Sequence, residues 1–280
     1  PLISVRACEQ AISGTGASAV IPVHLAGQPV DIPQLKEALG SIPVIEAAAH
    51  TLPSRTEWGH AGTSGTTGCF SFYANKTITT GEGGMLVTDD DDIASRAKLM
   101  RLHGIDREVW NRYTSPDAGW SYSVVEAGYK YNMPDILAAI GRVQLTRADE
   151  FLRRRQEIAA RYTELLGDRD WLDLPDDAEG HSWHLYMLQL DEQRLTISRD
   201  EFIQKLGSHG IGTSVHYIPL HIMPFYAARY GYAAQDFPNA LARYRRSLSL
   251  PIYPGLSDED VQRVADAVIS TGEAHYRSFT

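Results

Sequence analysis

The chain has 280 residues, 43% hydrophobic and 22% charged, and a formal net charge of -9. That length is ample for a buried core, and the composition is that of a folded globular protein. The acidic balance excludes a global basic field that would recruit nucleic acid or an anionic membrane. Its two cysteines, Cys8 and Cys69, stand in no CxxC or Cys/His metal spacing, which argues against a disulfide framework and for a reducing compartment. No apolar run approaches the ~20 residues that span a bilayer, and no charged-then-apolar signal pattern opens the sequence. A cytoplasmic enzyme with no membrane or nucleic-acid partner is the expectation.

In chain order, Gly14-Thr15-Gly16 reads as a turn. Ala19–Val23 and Pro43–Glu46 read as buried strands with a helix, Asp31–Leu39, between them, a spacing that implies a parallel sheet. Cys69–Tyr73 and Gly84–Thr88 add two strands. Asp92–Leu102 is predicted helical, acidic at its start and basic near its end, as the helix dipole favours. Residues 104–127 read as a long loop, and loops of that length are often functional. From Asp135 to Leu166 the apolar positions Ile136, Ala139, Ile140, Val143 and Leu145 recur at helical spacing, predicting one long helix or a broken pair. Beyond Asp168 the pattern shortens to strand Trp183–Leu190, helix Arg199–His209, strand Thr213–Tyr217 and helices Ala240–Ser247 and Asp258–Ser270. Ser198 and Ser257 are the predicted N-caps. The expected domains are 1–135, an α/β domain; 136–167, a connecting helix; and 168–280, a small α+β domain.

Lys76 follows the aromatic run Phe70–Tyr73 and precedes a turn built on Gly81, Gly83 and Gly84, residues that let a backbone take positive φ or approach a ligand closely. A lysine fixed there and partly removed from water has a lowered amine pKa, the setting of a Schiff-base lysine. Strand alternation puts Ser71 and Tyr73 on one face and Phe70 and Phe72 on the other. Thr63, Ser64, Thr66 and Thr67 offer further hydroxyls nearby. His216 and His221 lie five apart around a proline without an accompanying carboxylate or cysteine, which is poor metal-ligand spacing.

The segment Phe70-Ser71-Phe72-Tyr73-Ala74-Asn75-Lys76 with Thr79-Thr80-Gly81-Glu82-Gly83-Gly84 closely resembles the lysine segment of the DegT/DnrJ-type sugar aminotransferases. Ile21–Pro29, Val44–His50, Gly128–Asp135, Val215–His221 and Ser249–Tyr253 resemble the family's other segments in the same order. The resemblance implies a type I aminotransferase-like α/β domain, truncated at its N-terminus, followed by the small α+β domain. It implies pyridoxal phosphate (PLP) as cofactor and amino transfer, with glutamate the expected donor, to a keto carbon of a nucleotide-linked sugar. The words around His103-Gly104, Gly128–Asn132 and Leu250–Pro254 look most like members acting at C4 of UDP-sugars for lipopolysaccharide and related surface glycans.

Carried over position by position, the resemblance makes Lys76 the lysine joined to the cofactor. Ser71 would contact its phosphate and His50 its phenolic oxygen. Asn132 would reach the phosphate of a partner subunit, so that a homodimer shares its sites. Lys130 and Tyr129 would meet the substrate, and His216, Tyr217 and His221 the sugar. Ala47 departs from the pattern, which has Asp there to hold the pyridinium nitrogen charged. Glu46 is adjacent but points to the opposite face. A PLP-binding or regulatory homologue without turnover is therefore the alternative. The dehydratase branch, which resembles the same motif with His in place of the lysine, is disfavoured by Lys76.

Overall fold

The computed structural model describes residues 2–106 and 122–277. They form two compact units, residues 1–148 and 149–280.

In the first unit, helix α1 (Val5–Thr15) is capped by the Ser4 side chain, which accepts from Ala7 N, and ends at Gly16 in the left-handed conformation, φ 66°. The sequence 14–16 is thus not a free turn but a helix end, where a glycine at positive φ satisfies a terminal carbonyl. Helix α2 (Ile32–Leu39) begins at Asp31, whose carboxylate accepts from Gln34 N. Cys8, Val20, Ile32, Leu35, Leu39 and Val44 form the buried cluster joining these helices to the sheet.

The sheet consists of β1 (Ile45–Ala47), β4 (Thr67–Ser71) and β5 (Gly84–Val87) in the order β1-β4-β5. β1 runs parallel to β4, and β4 antiparallel to β5. Between β1 and β4 lies a small hairpin, β2 (Arg55–Thr56) and β3 (Gly59–His60). The expected strand 19–23 is present only as two parallel bridges, Val20 to Val44 and Val23 to Ala47. Pro22 interrupts it: having no N–H it cannot donate, and only its carbonyl joins the ladder, accepting from Ala47 N at 2.9 Å.

Helix α3 (Asp91–Met100) follows β5, with Asp90 accepting from Asp92 N and Ile93 N. The expected long loop is zipped at its base, where Ile105 bridges Val124 and Leu102 bridges Lys130; residues 107–121 lie outside the described residues. The predicted helical stretch is a broken pair, α4 (Asp135–Thr146) and α5 (Ala148–Leu166), interrupted at Arg147. The apolar stripe of α4 is not core: Ile136 is 77% exposed, Ile140 45% and Val143 63%.

The second unit packs helices against the antiparallel sheet β6 (Leu172–Asp173), β7 (Tyr186–Leu190) and β8 (Ser247–Leu250). Tyr162 of α5, Tyr186 of β7, Phe202 of α6 (Arg199–Ser208) and Val261 of α9 (Asp258–Ala274) are fully buried in its core. Both predicted caps are in place, Ser198 forming a capping box with Glu201 and Ser257 accepting from Asp260 N. Helix α7 (Pro224–Tyr230) and helix α8 (Pro238–Arg246) begin with proline, as that residue's missing N–H allows. Three boundaries differ from the reading by pattern. Strand β7 starts only at Tyr186, because Trp183 adopts φ 51°. Residues 213–217 contribute a single bridge, Ser214 to Ser249. Ser247 opens β8 instead of closing a helix.

Among the described residues, no helix is long and apolar enough to cross a membrane.

Candidate active site

The parallel register aligns Ile45 with Thr67, Glu46 with Gly68 and Ala47 with Cys69. Because strand side chains alternate, Ala47 and Ser71 share one face of the sheet and Glu46 takes the other.

On that other face Glu46 is fully buried. Its Oε1 accepts from Ser64 N at 2.7 Å and Gly65 N at 2.5 Å, and its Oε2 from Gly62 N at 2.8 Å. The fourth donor is His24. Its Nδ1 accepts from Val30 N at 2.9 Å, so the ring proton lies on Nε2, which donates to Glu46 Oε2 at 2.9 Å. Burial by itself pushes this carboxyl up, but the hydrogen bonds from His24, Gly65 and Gly62 outweigh it and leave Glu46 below the ordinary carboxylate range. The neighbouring glycines make room. A methyl on Gly68 would overlap the Gly62 carbonyl oxygen, and one on Gly65 would stand 2.6 Å from the Val44 carbonyl oxygen. Sequence reasoning put Glu46 on the correct face but missed this network; the signal was an acid inside an apolar run followed by Gly62, Gly65 and Gly68.

Lys76 lies in the turn after β4. Its N–H donates to Tyr73 O at 3.0 Å, and Thr80 N returns to Phe72 O at 2.9 Å. The Thr79 hydroxyl donates to Phe72 O at 3.1 Å, and the Thr80 hydroxyl to Glu82 O at 2.6 Å. Gly83, at φ 155°, closes the turn, where a methyl would come within 2.5 Å of Thr80 Oγ1 and 2.7 Å of Met133 Cε. The Lys76 side chain is half-buried, and loss of water pushes its ammonium below the ordinary lysine value. Ser71 Oγ accepts from Tyr73 N at 3.3 Å and keeps its own O–H for an acceptor. His50 is buried just past the end of β1.

In the segment after the long loop, Lys130 Nζ donates to Asn132 Oδ1. The rings of Tyr129 and Tyr131 stack 4.8 Å apart. In the second unit, His216 Nδ1 hydrogen-bonds Ser249 Oγ at 2.8 Å, and the Tyr217 ring meets His216 edge-on. His221 is buried and its Nε2 donates to Ala234 O at 3.1 Å. The contacts join Lys130 to Asn132 in the first unit and His216 to Tyr217 in the second.

The mixed sheet thus places Lys76 in a glycine-closed turn just beyond its parallel strand pair. The model of the DegT/DnrJ/EryC1/StrS aminotransferase family matches residues 2–269, and the chain belongs to that family. It is 47% identical over 270 residues to the uncharacterized protein MJ1066 of Methanocaldococcus jannaschii, covering 95% of this chain and 69% of that one. It is 44% identical over 256 residues to the spore coat polysaccharide biosynthesis protein SpsC of Bacillus subtilis, covering 89% of this chain and 65% of SpsC. The chain therefore spans about two thirds of the length of these relatives. Among solved structures, PseC of Helicobacter pylori, an aminotransferase involved in pseudoaminic acid biosynthesis, superposes with a TM-score of 0.89 at 27% identity, over 98% of this chain and 71% of that one. The PMP-form of Spr1654 from Streptococcus pneumoniae gives 0.87 at 28% identity, over 98% of this chain and 73% of that one, and a PLP-form of Spr1654 is also known.

The residues present fit pyridoxal phosphate in two respects and depart in a third. Lys76 is a desolvated amine, and Ser71 keeps a free hydroxyl donor on the Ala47 face. The Ala47 methyl cannot pair with a ring nitrogen.

The Glu46 network makes stability depend on pH. The folded carboxyl titrates below the unfolded value of about 4.3, so its contribution is complete above that value and is lost as pH falls through the folded one. Glu46→Gln keeps one acceptor oxygen but turns an amide N–H₂ towards backbone donors. It is expected to lower stability at pH 7 by about 3 kcal/mol and to lose this part of the acid-side slope, as measured by urea unfolding at pH 7 and pH 4. A variant with unchanged stability and slope would show that the network contributes nothing.

Proposed function

We propose that this chain is a PLP-dependent aminotransferase that moves an amino group, with L-glutamate as donor, to the C4 keto carbon of a nucleotide-linked sugar. The product is an amino sugar for lipopolysaccharide or a related surface polysaccharide, made in the cytoplasm. The observation that carries this reading is Lys76, a half-buried lysine in a glycine-closed turn whose ammonium is pushed down by loss of water. The SpsC and PseC likenesses support the pathway class.

Bound at this site, pyridoxal phosphate supplies an aldehyde that condenses with amines and a ring that accepts electrons. The remaining work falls to the chain. Lys76 Nζ, neutral more often than a solvated lysine, is the attachment point and afterwards moves the proton at the amino donor's Cα. Ser71 Oγ donates to the phosphate. His50 holds the phenolic oxygen, and its burial excludes water there. Lys130 pairs with the substrate diphosphate beside Tyr129, while His216, Tyr217 and His221 orient the sugar. Asn132 serves the phosphate of the partner subunit. The α4 stripe of Ile136, Ile140 and Val143 favours such a partner, since exposed apolar rows of this kind are buried by association. A second reading, a homologue that binds PLP without turnover, is favoured by Ala47 alone.

Three measurements bear on this. Incubation with pyridoxal phosphate, borohydride reduction and peptide mapping are expected to leave a pyridoxyl group on Lys76; a label on Lys36, Lys98, Lys130 or Lys205 instead would remove Lys76 from its role.

Ala47→Asp restores a carboxylate on the face shared with Ser71. A charged hydrogen bond contributes about 1.5–3 kcal/mol, so transamination is expected to rise about tenfold or more. No gain would mean that another group meets the ring nitrogen or that the non-catalytic reading holds.

For the shared sites, a Lys76→Ala chain is mixed with an Asn132→Ala chain. In a two-fold dimer with crossed sites both lesions fall in one site and the other stays whole, so about half the normal per-site activity is expected to return. Activity no higher than that of the separate variants, in a heterodimer shown to form, would rule the arrangement out.

A further inference from the structure

No residue of helix α4 is fully buried. Its half-buried positions are Leu137, Ala138, Gly141 and Gln144, a row at helical spacing on a different side from the exposed stripe of Ile136, Ile140 and Val143. Gly141 stands in the middle of that inner row. Glycine destabilises a helix interior relative to alanine, so its missing side chain has to be explained by what lies against it. What lies there is the lysine turn. A methyl on Gly141 would stand 2.9 Å from Thr80 Cγ2, closer than two carbon atoms pack. Two further contacts join the helix to the same turn. Gln144 Oε1 accepts from Thr79 N at 3.4 Å, and Met133, just ahead of the helix, stands where a methyl on Gly83 would come within 2.7 Å of its Cε.

Thr80 cannot simply turn its methyl aside. It is buried, and the two heavy substituents on its β-carbon rotate together. One of them, the hydroxyl, donates to Glu82 O at 2.6 Å, which fixes the direction of the other. The backbone is held as well. Thr80 N donates to Phe72 O at 2.9 Å, and the Thr79 hydroxyl reaches the same oxygen at 3.1 Å. Phe72 and Thr80 therefore close the loop that carries Lys76. A group added at Gly141 would displace this whole loop and not one methyl, because a packed interior passes strain to its neighbours.

We propose that Gly141 is a positioning residue for Lys76: by admitting the Thr80 methyl, the inner face of α4 seats the lysine turn and so sets where the Lys76 amine points and how far it is removed from water. This rests on the role given to Lys76 above. Gly141 touches neither cofactor nor substrate in this scheme and acts only through the turn.

The rate of pyridoxyl labelling of Lys76 in the full chain, followed by borohydride trapping and peptide mapping across a range of pH, tests it. Gly141→Ala is expected to slow labelling at neutral pH about tenfold, since a reacting group moved by a fraction of an ångström to one ångström loses reactivity on that order. Its pH profile is expected to move to higher pH, because a displaced amine regains water and with it the ordinary lysine behaviour. Thr80→Ser removes the methyl but keeps the hydroxyl for Glu82 O. Added to Gly141→Ala, it is expected to restore the rate and the profile to those of Thr80→Ser alone, a coupling that a general loss of stability would not produce. Near-ultraviolet circular dichroism is expected to stay that of the parent in each variant. Labelling of Gly141→Ala at the parental rate and pH profile would overturn the proposal, as would a loss that Thr80→Ser does not relieve. In either case, with the parent labelled on Lys76, the aminotransferase reading stands and only the role of Gly141 fails. A parent chain that takes no label on Lys76 sinks that reading, and the role of Gly141 falls with it.

Discussion

A buried carboxylate organises the first unit. Glu46 stands fully inside, and an unpaired charge in such a place would cost several kcal/mol. It is tolerated because Gly62, Ser64 and Gly65 present backbone N–H groups to it and His24 adds a fourth donor. Those bonds tie the loop before β4 to β1 and so fix the parallel register of the two strands. A slip of one residue would move every side chain to the other face. Ala47 and Ser71 look away from the carboxylate only because Glu46 cannot leave it.

The same desolvation, which disfavours charge, has opposite outcomes a short distance along the chain. At Glu46 it is outweighed by hydrogen bonds, and the group stays charged and structural. At Lys76 it lowers the pKa, and the amine is thereby closer to its neutral form. The fully buried acid keeps its charge through the donors turned towards it, whereas the half-buried lysine is shifted by burial.

The second unit is organised by apolar packing, with a buried cation as its pin. Arg155 Nη1 donates to the carbonyls of Trp183, His184 and Ile252, and burial lowers its guanidinium to about 10, still protonated at neutral pH. It gathers the bend before β7 and the segment after β8 onto α5. With the interior so filled, the rings between Phe225 and Phe237 are left on the outside, set by one short helix and one glycine turn.

Much of this was legible in the sequence because it depends on short-range chemistry. The caps Ser198 and Ser257, the lysine turn with its glycines, and the opposite facing of Glu46 and Ala47 follow from side-chain hydrogen bonding, positive φ and strand alternation, each decided within a few residues. What the sequence could not decide depends on partners distant along the chain. The donors to Glu46 come from residues 24 and 62–65, the strand at 19–23 is cut down by what Pro22 cannot give its neighbour, and β8 exists because β7 lies beside it. The apolar stripe of α4 shows the limit most clearly: helical periodicity identifies a face that avoids water, but only the tertiary structure shows that this face lies at the surface of its unit.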